Sequence, residues 1–145
     1  MTENDKLSEQ IRILNEAVHK IWFDMMQTNL FSDKLRNLTF LDLHIISTAH
    51  KNPDLILKDI KDRLHIPHST LSSSVSKLEK MGLVKRVINR RDLRSYSIEL
   101  TAEGKEVMKE HERIDYEQVS KLVVPLSPDE REQFISMVKK AISQY

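Results

Sequence analysis

The chain has 145 residues, 39% hydrophobic and 31% charged, with two glycines, four prolines and no cysteine. That length suits one domain with its own core, so few glycines and prolines favour long helices over many strands, and the lack of cysteine excludes disulfides and zinc-thiolate sites. The formal net charge is only +1, yet Lys58 to Arg94 carries ten Lys/Arg against four Asp/Glu, between acidic flanks; such a local positive field attracts polyanions.

Leu7, Ile11, Leu14, Val18, Ile21 and Met25 recur at alternating spacings of four and three. This predicts one long helix to about Asn29, with a single apolar stripe like a coiled-coil seam. A stripe of that length needs a partner helix. Thr39 is placed to cap a second helix, and Asp42, three residues on, completes a capping-box pair; Leu43, Ile46 and Ala49 continue the apolar face. Asn52-Pro53 ends it. A third helix, Leu55 to Leu64, turns Leu57, Ile60 and Leu64 inward. His65-Ile66-Pro67 then makes a tight turn, with His65 where glycine is favoured; histidine tolerates a positive φ at some cost.

A fourth helix is expected from about His68 to Met81, with Leu71, Val75 and Leu78 buried and Gly82 as a left-handed stop. Two amphipathic helices joined by so short a turn make a helix-turn-helix. Leu83 to Ile88 and Ser95 to Leu100 have strand character. Tyr96, Ile98 and Leu100 alternate with Ser95, Ser97 and Glu99, which predicts that the first three share a buried face. The turn between the strands, Asn89-Arg90-Arg91-Asp92-Leu93-Arg94, projects into solvent. Thr101 caps a long helix to about Leu122, with Val107, Met108, His111, Ile114 and Leu122 along one side. Ser127-Pro128-Asp129-Glu130 is a strong helix start, and Phe134, Ile135, Val138, Ala141 and Ile142 form the last stripe.

The expected class is mainly α (α+β): a winged helix-turn-helix over 38–101 with a two-stranded β wing. Dimerisation helices at 1–30 and 102–145 flank it within one domain, 1–145. Two copies would set their recognition helices about 34 Å apart, matching successive major grooves. With Leu71, Val75 and Leu78 inside, the other face of the fourth helix shows Ser69, Thr70, Ser72, Ser73, Ser76 and Lys77, with His68 at its start. Short hydroxyls suit base edges or phosphates, and the Thr70 methyl suits a thymine methyl. Lys77, Lys85, Arg86, Arg90 and Arg91 are expected on phosphates, setting affinity and its salt dependence.

Across residues 38–106 the chain resembles the MarR family of bacterial winged-helix regulators. The pieces most alike are LEKMGLVKR at 78–86, RDLR at 91–94 and LTAEG at 100–104. The resemblance implies an obligate homodimer with entwined terminal helices, acting on a pseudo-palindromic double-stranded DNA operator as a repressor released by a small ligand. It implies the recognition helix (68–81) in the major groove and the wing (89–95) in the minor groove. By the same likeness Arg94 is the wing arginine and Asp92 the acid that orients its guanidinium. Lys61, His65 and Pro67 depart from the family pattern, which bears on local helix packing. A small inducer, as the family uses, would be lined by Trp22, Phe23, Met26, Phe31 and His44.

No Gly-rich phosphate loop, HExxH or GxSxG is present, so neither an enzyme nor a cofactor is expected. His44 and His50, six apart on one helix, do not share a face, which argues against a metal site. The alternatives are a metal-responsive regulator and a helical interaction module that does not bind DNA. The polar start MTENDKLSEQ does not read as a signal peptide, and no apolar run nears the roughly 20 residues of a membrane span; a cytoplasmic protein without membrane partner is expected.

Overall fold

A computed structural model describes residues 2–26 and 31–143. The chain divides into two compact units, Met1–Phe31 and Ser32–Tyr145. The first unit is the helix α1 (Glu3–Met26). Its stripe is solvent-facing: Leu7, Ile11, Leu14 and Val18 are each more than half exposed. On its polar side Arg12 bridges Glu9 and Glu16, the one-turn pairing that supports an isolated helix. The Met25 and Met26 side chains and the expected end at Asn29 lie outside the described residues.

The second unit opens with a short helix that periodicity does not reveal, α2 (Asp33–Arg36). Ser32 caps it, accepting from the Leu35 N–H at 3.3 Å. The Ser32 N–H and hydroxyl both donate to the Glu110 carboxylate, at 2.6 and 2.7 Å. Next comes α3 (Phe40–Lys51), which starts on the expected capping box: the Asp42 N–H donates to Thr39 Oγ1 and the Thr39 N–H to Asp42 Oδ2. Ile45, Ile46 and Ala49 are its buried face.

The helix α4 (Leu57–Leu64) begins two residues later than expected. The cause is Ile56, which is extended and forms a β-bridge with Ser97. Ile60 is fully buried and Leu57 and Leu64 half-buried. His65 does take the left-handed conformation, at φ 51° and ψ 41°. The helix α5 (His68–Lys80) follows, and Gly82 stops it at φ +71°. The strands β1 (Val84–Ile88) and β2 (Tyr96–Leu100) pair antiparallel, with Val84 opposite Leu100 and Ile88 opposite Tyr96.

The core gathers Ile45, Ile46, Ile60, Leu71, Val75, Leu78, Leu83 and Ile98, each no more than 2% exposed. One expectation for β2 fails. Tyr96 is 53% exposed and Ser97 2%. Ile98 and Leu100 reach the core, whereas Tyr96 lies beyond its edge. Ser97 is covered because β2 has a neighbour on both sides, Val87 on β1 and Ile56, and the buried Asn89 amide donates to its hydroxyl.

The helix α6 (Ala102–Val123) leaves the hairpin through Thr101, whose Oγ1 accepts from the Gly104 N–H and donates to the Gly82 carbonyl. A Cβ at Gly104 would stand 2.0 Å from the Leu83 carbonyl oxygen, so only glycine lets α6 seat this close to the root of β1. Val107, Met108 and Ile114 are buried, whereas Leu122 at the far end is exposed. The last helix, α7 (Pro128–Ile142), has the expected capping box at Ser127 and Glu130 and buries no residue. Among the described residues no helix is long and apolar enough to cross a membrane.

Candidate nucleic-acid interface

The polar face of α5 stands as its apolar spacing requires. His68, Ser69 and Ser73 are exposed, and Thr70, Ser72, Ser76 and Lys77 half-buried. Pro67, at the cap position, has no side-chain oxygen to offer the first-turn N–H groups. Ser74, absent from the expected set, is buried and donates to Asp42 Oδ1.

Asp42 is the polar centre of the α3–α5 contact. It is 2% exposed, and its Oδ2 takes both the Thr39 N–H at 2.9 Å and the Lys77 ammonium at 2.7 Å. Burial by itself raises this carboxyl; Lys77, Ser74 and Thr39 together outweigh it and hold the group below its ordinary value. Lys77 is therefore engaged internally as well as facing outward.

Other cations of the region are also paired. Arg86 meets Glu79 at 3.3 Å and donates to Ser76 Oγ at 3.2 Å. Lys85 meets Glu99 at 3.0 Å and Arg91 meets Asp54 at 2.8 Å. These pairs are solvent-accessible, which makes each weak and exchangeable. Among the described residues, Arg90 and Arg94 have no acidic partner.

The wing turn is built on Asn89, 4% exposed. Its side-chain amide donates to the Asp54 carbonyl at 2.9 Å and to Ser97 Oγ at 2.7 Å, while its Oδ1 accepts the N–H groups of Arg91 and Asp92 at 2.8 and 3.0 Å. Every polar site of the amide is satisfied, so the base of the turn is held from both sides. At the tip, the Asp92 carboxylate accepts from the Ser95 hydroxyl and from the Arg94 N–H, contacts that keep it below its ordinary value. Asp92 thus fixes Arg94 through the main chain, where a guanidinium pair was expected. Leu93 stands 77% exposed beside it.

Three of the expected residues come together: His68 and Ser72 of α5 share a groove with Arg86 of β1, and Tyr96 of β2 joins them. Arg91 and Asp92 line a separate groove with Asp54 and Asn89. Four members of the site escape a reading by periodicity: Asp42, Ser74, Asn89 and Tyr96. Asn89 had a signal, since asparagine opening a polar turn bonds the N–H groups two and three residues on. Asp42 showed only its capping role, because its partners lie 32 and 35 residues away.

The expected ligand-lining residues fall in both units, Trp22, Phe23 and Phe31 in the first and His44 in the second. Trp22 and Phe23 are 60% and 57% exposed on α1, and Phe31 is half-buried. His44 is exposed on α3 and stacks on Phe40, ring centroids 5.5 Å apart.

A helix-turn-helix whose second helix runs into a two-stranded wing defines the winged-helix class of regulators. The MarR family model matches residues 36–95. The chain is 26% identical over 110 residues to the HTH-type transcriptional regulator SarZ of Staphylococcus haemolyticus, covering 76% of this chain and 74% of that protein. Among solved structures it is similar to the YusO protein of Bacillus subtilis, with a TM-score of 0.80, 20% identity and 100% coverage of both chains. It is also similar to the S. aureus MepR–DNA complex, with a TM-score of 0.66 and 27% identity over 90% of this chain and 97% of that one. The matched span, residues 36–95, is the helix-turn-helix with its wing turn, so the likeness to the MarR family rests on that part of the chain.

Proposed function

We propose that this protein binds operator DNA as a homodimer, with the 68–81 helix in the major groove and the 89–95 wing in the minor groove. The observation that carries this reading is the wing tip: Arg90 and Arg94 have no acidic partner among the described residues, on a turn braced by Asn89. An arginine without an acid to release is the cation best prepared to enter a narrow minor groove. The uncapped start of α5 supports the reading, since free first-turn N–H groups favour a phosphate. MepR, a relative in fold, is solved in complex with DNA.

Dimer formation is supported by apolar side chains left in water: Leu7, Ile11, Leu14 and Val18 on α1, and Ile135, Met137 and Ile142 on α7. So much exposed apolar surface is unusual in a monomer. We further propose repression in the cytoplasm, relieved by a small apolar or cationic ligand; MepR is also solved bound to ethidium bromide.

The test is selection of duplexes from a random-sequence library with the purified protein, followed by mobility-shift titration at several salt concentrations. A selected palindromic element and a steep fall of log affinity with log salt are the expected outcome. No enriched sequence and no duplex binding at low ionic strength would refute it.

A further inference from the structure

Lys77 has the position of a DNA contact and the partners of a core residue. Its ammonium lies 2.7 Å from Asp42 Oδ2, and its side chain is 40% exposed while that of Asp42 is 3%. Asp42 is bound at the same time by the Ser74 hydroxyl and the Thr39 N–H. Moving Lys77 onto a phosphate would strip a buried carboxylate of its only cation among the described residues, and an uncompensated buried charge is strongly unfavourable. Arg86 and Arg91 face no such obstacle, because Glu79 and Asp54 are solvated and released at little cost.

Ser74 and Lys77 are three apart on α5, one helical turn, and both end on the same carboxylate of α3. Two anchors on one side of a helix fix its rotation about its own axis. Hydrophobic contacts through Leu71, Val75 and Leu78 tolerate a few degrees of roll, whereas hydrogen bonds to one carboxylate do not. The face set by that rotation is the one that carries Ser69, Ser72, Ser73 and Ser76.

We propose that Lys77 is a positioning residue: tied with Ser74 to the buried Asp42, it sets the roll of α5 and governs sequence discrimination without acting as a phosphate contact. The proposal rests on the DNA-binding reading of α5. It assigns Asp42, at the first turn of α3, to the same role.

The test compares wild type with Lys77→Gln, Lys77→Arg and Asp42→Asn. The probes are the duplex recovered by the selection above and a scrambled duplex of equal length and composition. For Lys77→Gln the expected result is about tenfold weaker binding of the selected duplex, with the scrambled duplex within about twofold. The slope of log affinity against log salt stays that of wild type. Lys77→Arg, which keeps the pair, restores discrimination, and Asp42→Asn loses it.

Equal weakening on both duplexes, with the slope reduced by about 0.9 per protomer, would make Lys77 a phosphate contact and overturn the proposal. So would tighter binding of both duplexes by Asp42→Asn, the mark of an unmasked cation. Amide hydrogen exchange on the DNA-free protein decides separately. Exchange over Ser69–Ser76 is expected to rise about tenfold in Lys77→Gln, and unchanged exchange would also overturn the proposal. Failure of wild type to bind either duplex sinks the DNA reading alone, since the exchange measurement still stands.

Discussion

Arg94 is held by its main chain alone: Asp92 accepts its N–H, and among the described residues no carboxylate sits on its guanidinium. Its removal should therefore leave folding untouched. Arg94→Ala is expected to weaken binding of the selected duplex by about 1–3 kcal/mol with an unchanged melting temperature, as read by mobility shift and circular dichroism. Gly104 is the opposite case, buried and intolerant of any side chain. Because a Cβ there would meet the Leu83 carbonyl at 2.0 Å, Gly104→Ala should cost at least ~1–3 kcal/mol in a urea titration. A change below about 0.5 kcal/mol, the range of surface substitutions, would show that α6 can lift away freely. Both positions stood out in the sequence, Arg94 by family likeness and Gly104 within the matching LTAEG run. The steric reason for the glycine was not legible, because Leu83 lies 21 positions away and only packing reveals it.

At the level of the elements, the caps were the most readable feature. Thr39 with Asp42 and Ser127 with Glu130 both form the reciprocal pairs that their spacing predicts, because a capping box is complete within four residues. The short α2 was not readable: it rests on Ser32 bonding to Glu110, 78 positions distant. Tyr96 failed for a related reason, since alternation cannot say where a core ends along a strand. Asp42 links the caps to acid sensitivity. A carboxyl held below its ordinary value when folded contributes stability above its unfolded value, near 3.9, and that contribution is lost as pH falls through the folded value. Asp42→Asn should accordingly destabilise at pH 7 and approach wild type below about pH 4 in denaturant titrations. A deficit that stayed constant across that range would contradict the charged network.

For the molecule as a whole, the apolar stripes of α1 and α7 were visible in the sequence, and Leu7, Ile11, Leu14 and Val18 of the first and Phe134, Ile135, Val138 and Ile142 of the second are exposed. What a stripe cannot state is which partner covers it. If a second copy does so, Leu14→Glu or Ile135→Glu should shift sedimentation from dimer towards monomer, with loss of operator binding and little change within the helix-turn-helix. An unaltered sedimentation coefficient in both variants would show that these side chains face no partner. The charge distribution works at the same scale. The chain is nearly neutral, and among the described residues five of its central cations, Lys61, Lys77, Lys85, Arg86 and Arg91, already have acids beside them. Its hold on a polyanion thus depends on a few free arginines and on exchange of weak pairs.

The seat of Gly104 against Leu83 has a mechanical corollary. Backbone in contact with backbone has no soft side chain between to absorb a shift, and Thr101 bolts the same corner to Gly82. The first turn of α6 and the root of the wing therefore share one seat, and a displacement of either at that corner has to be met by the other.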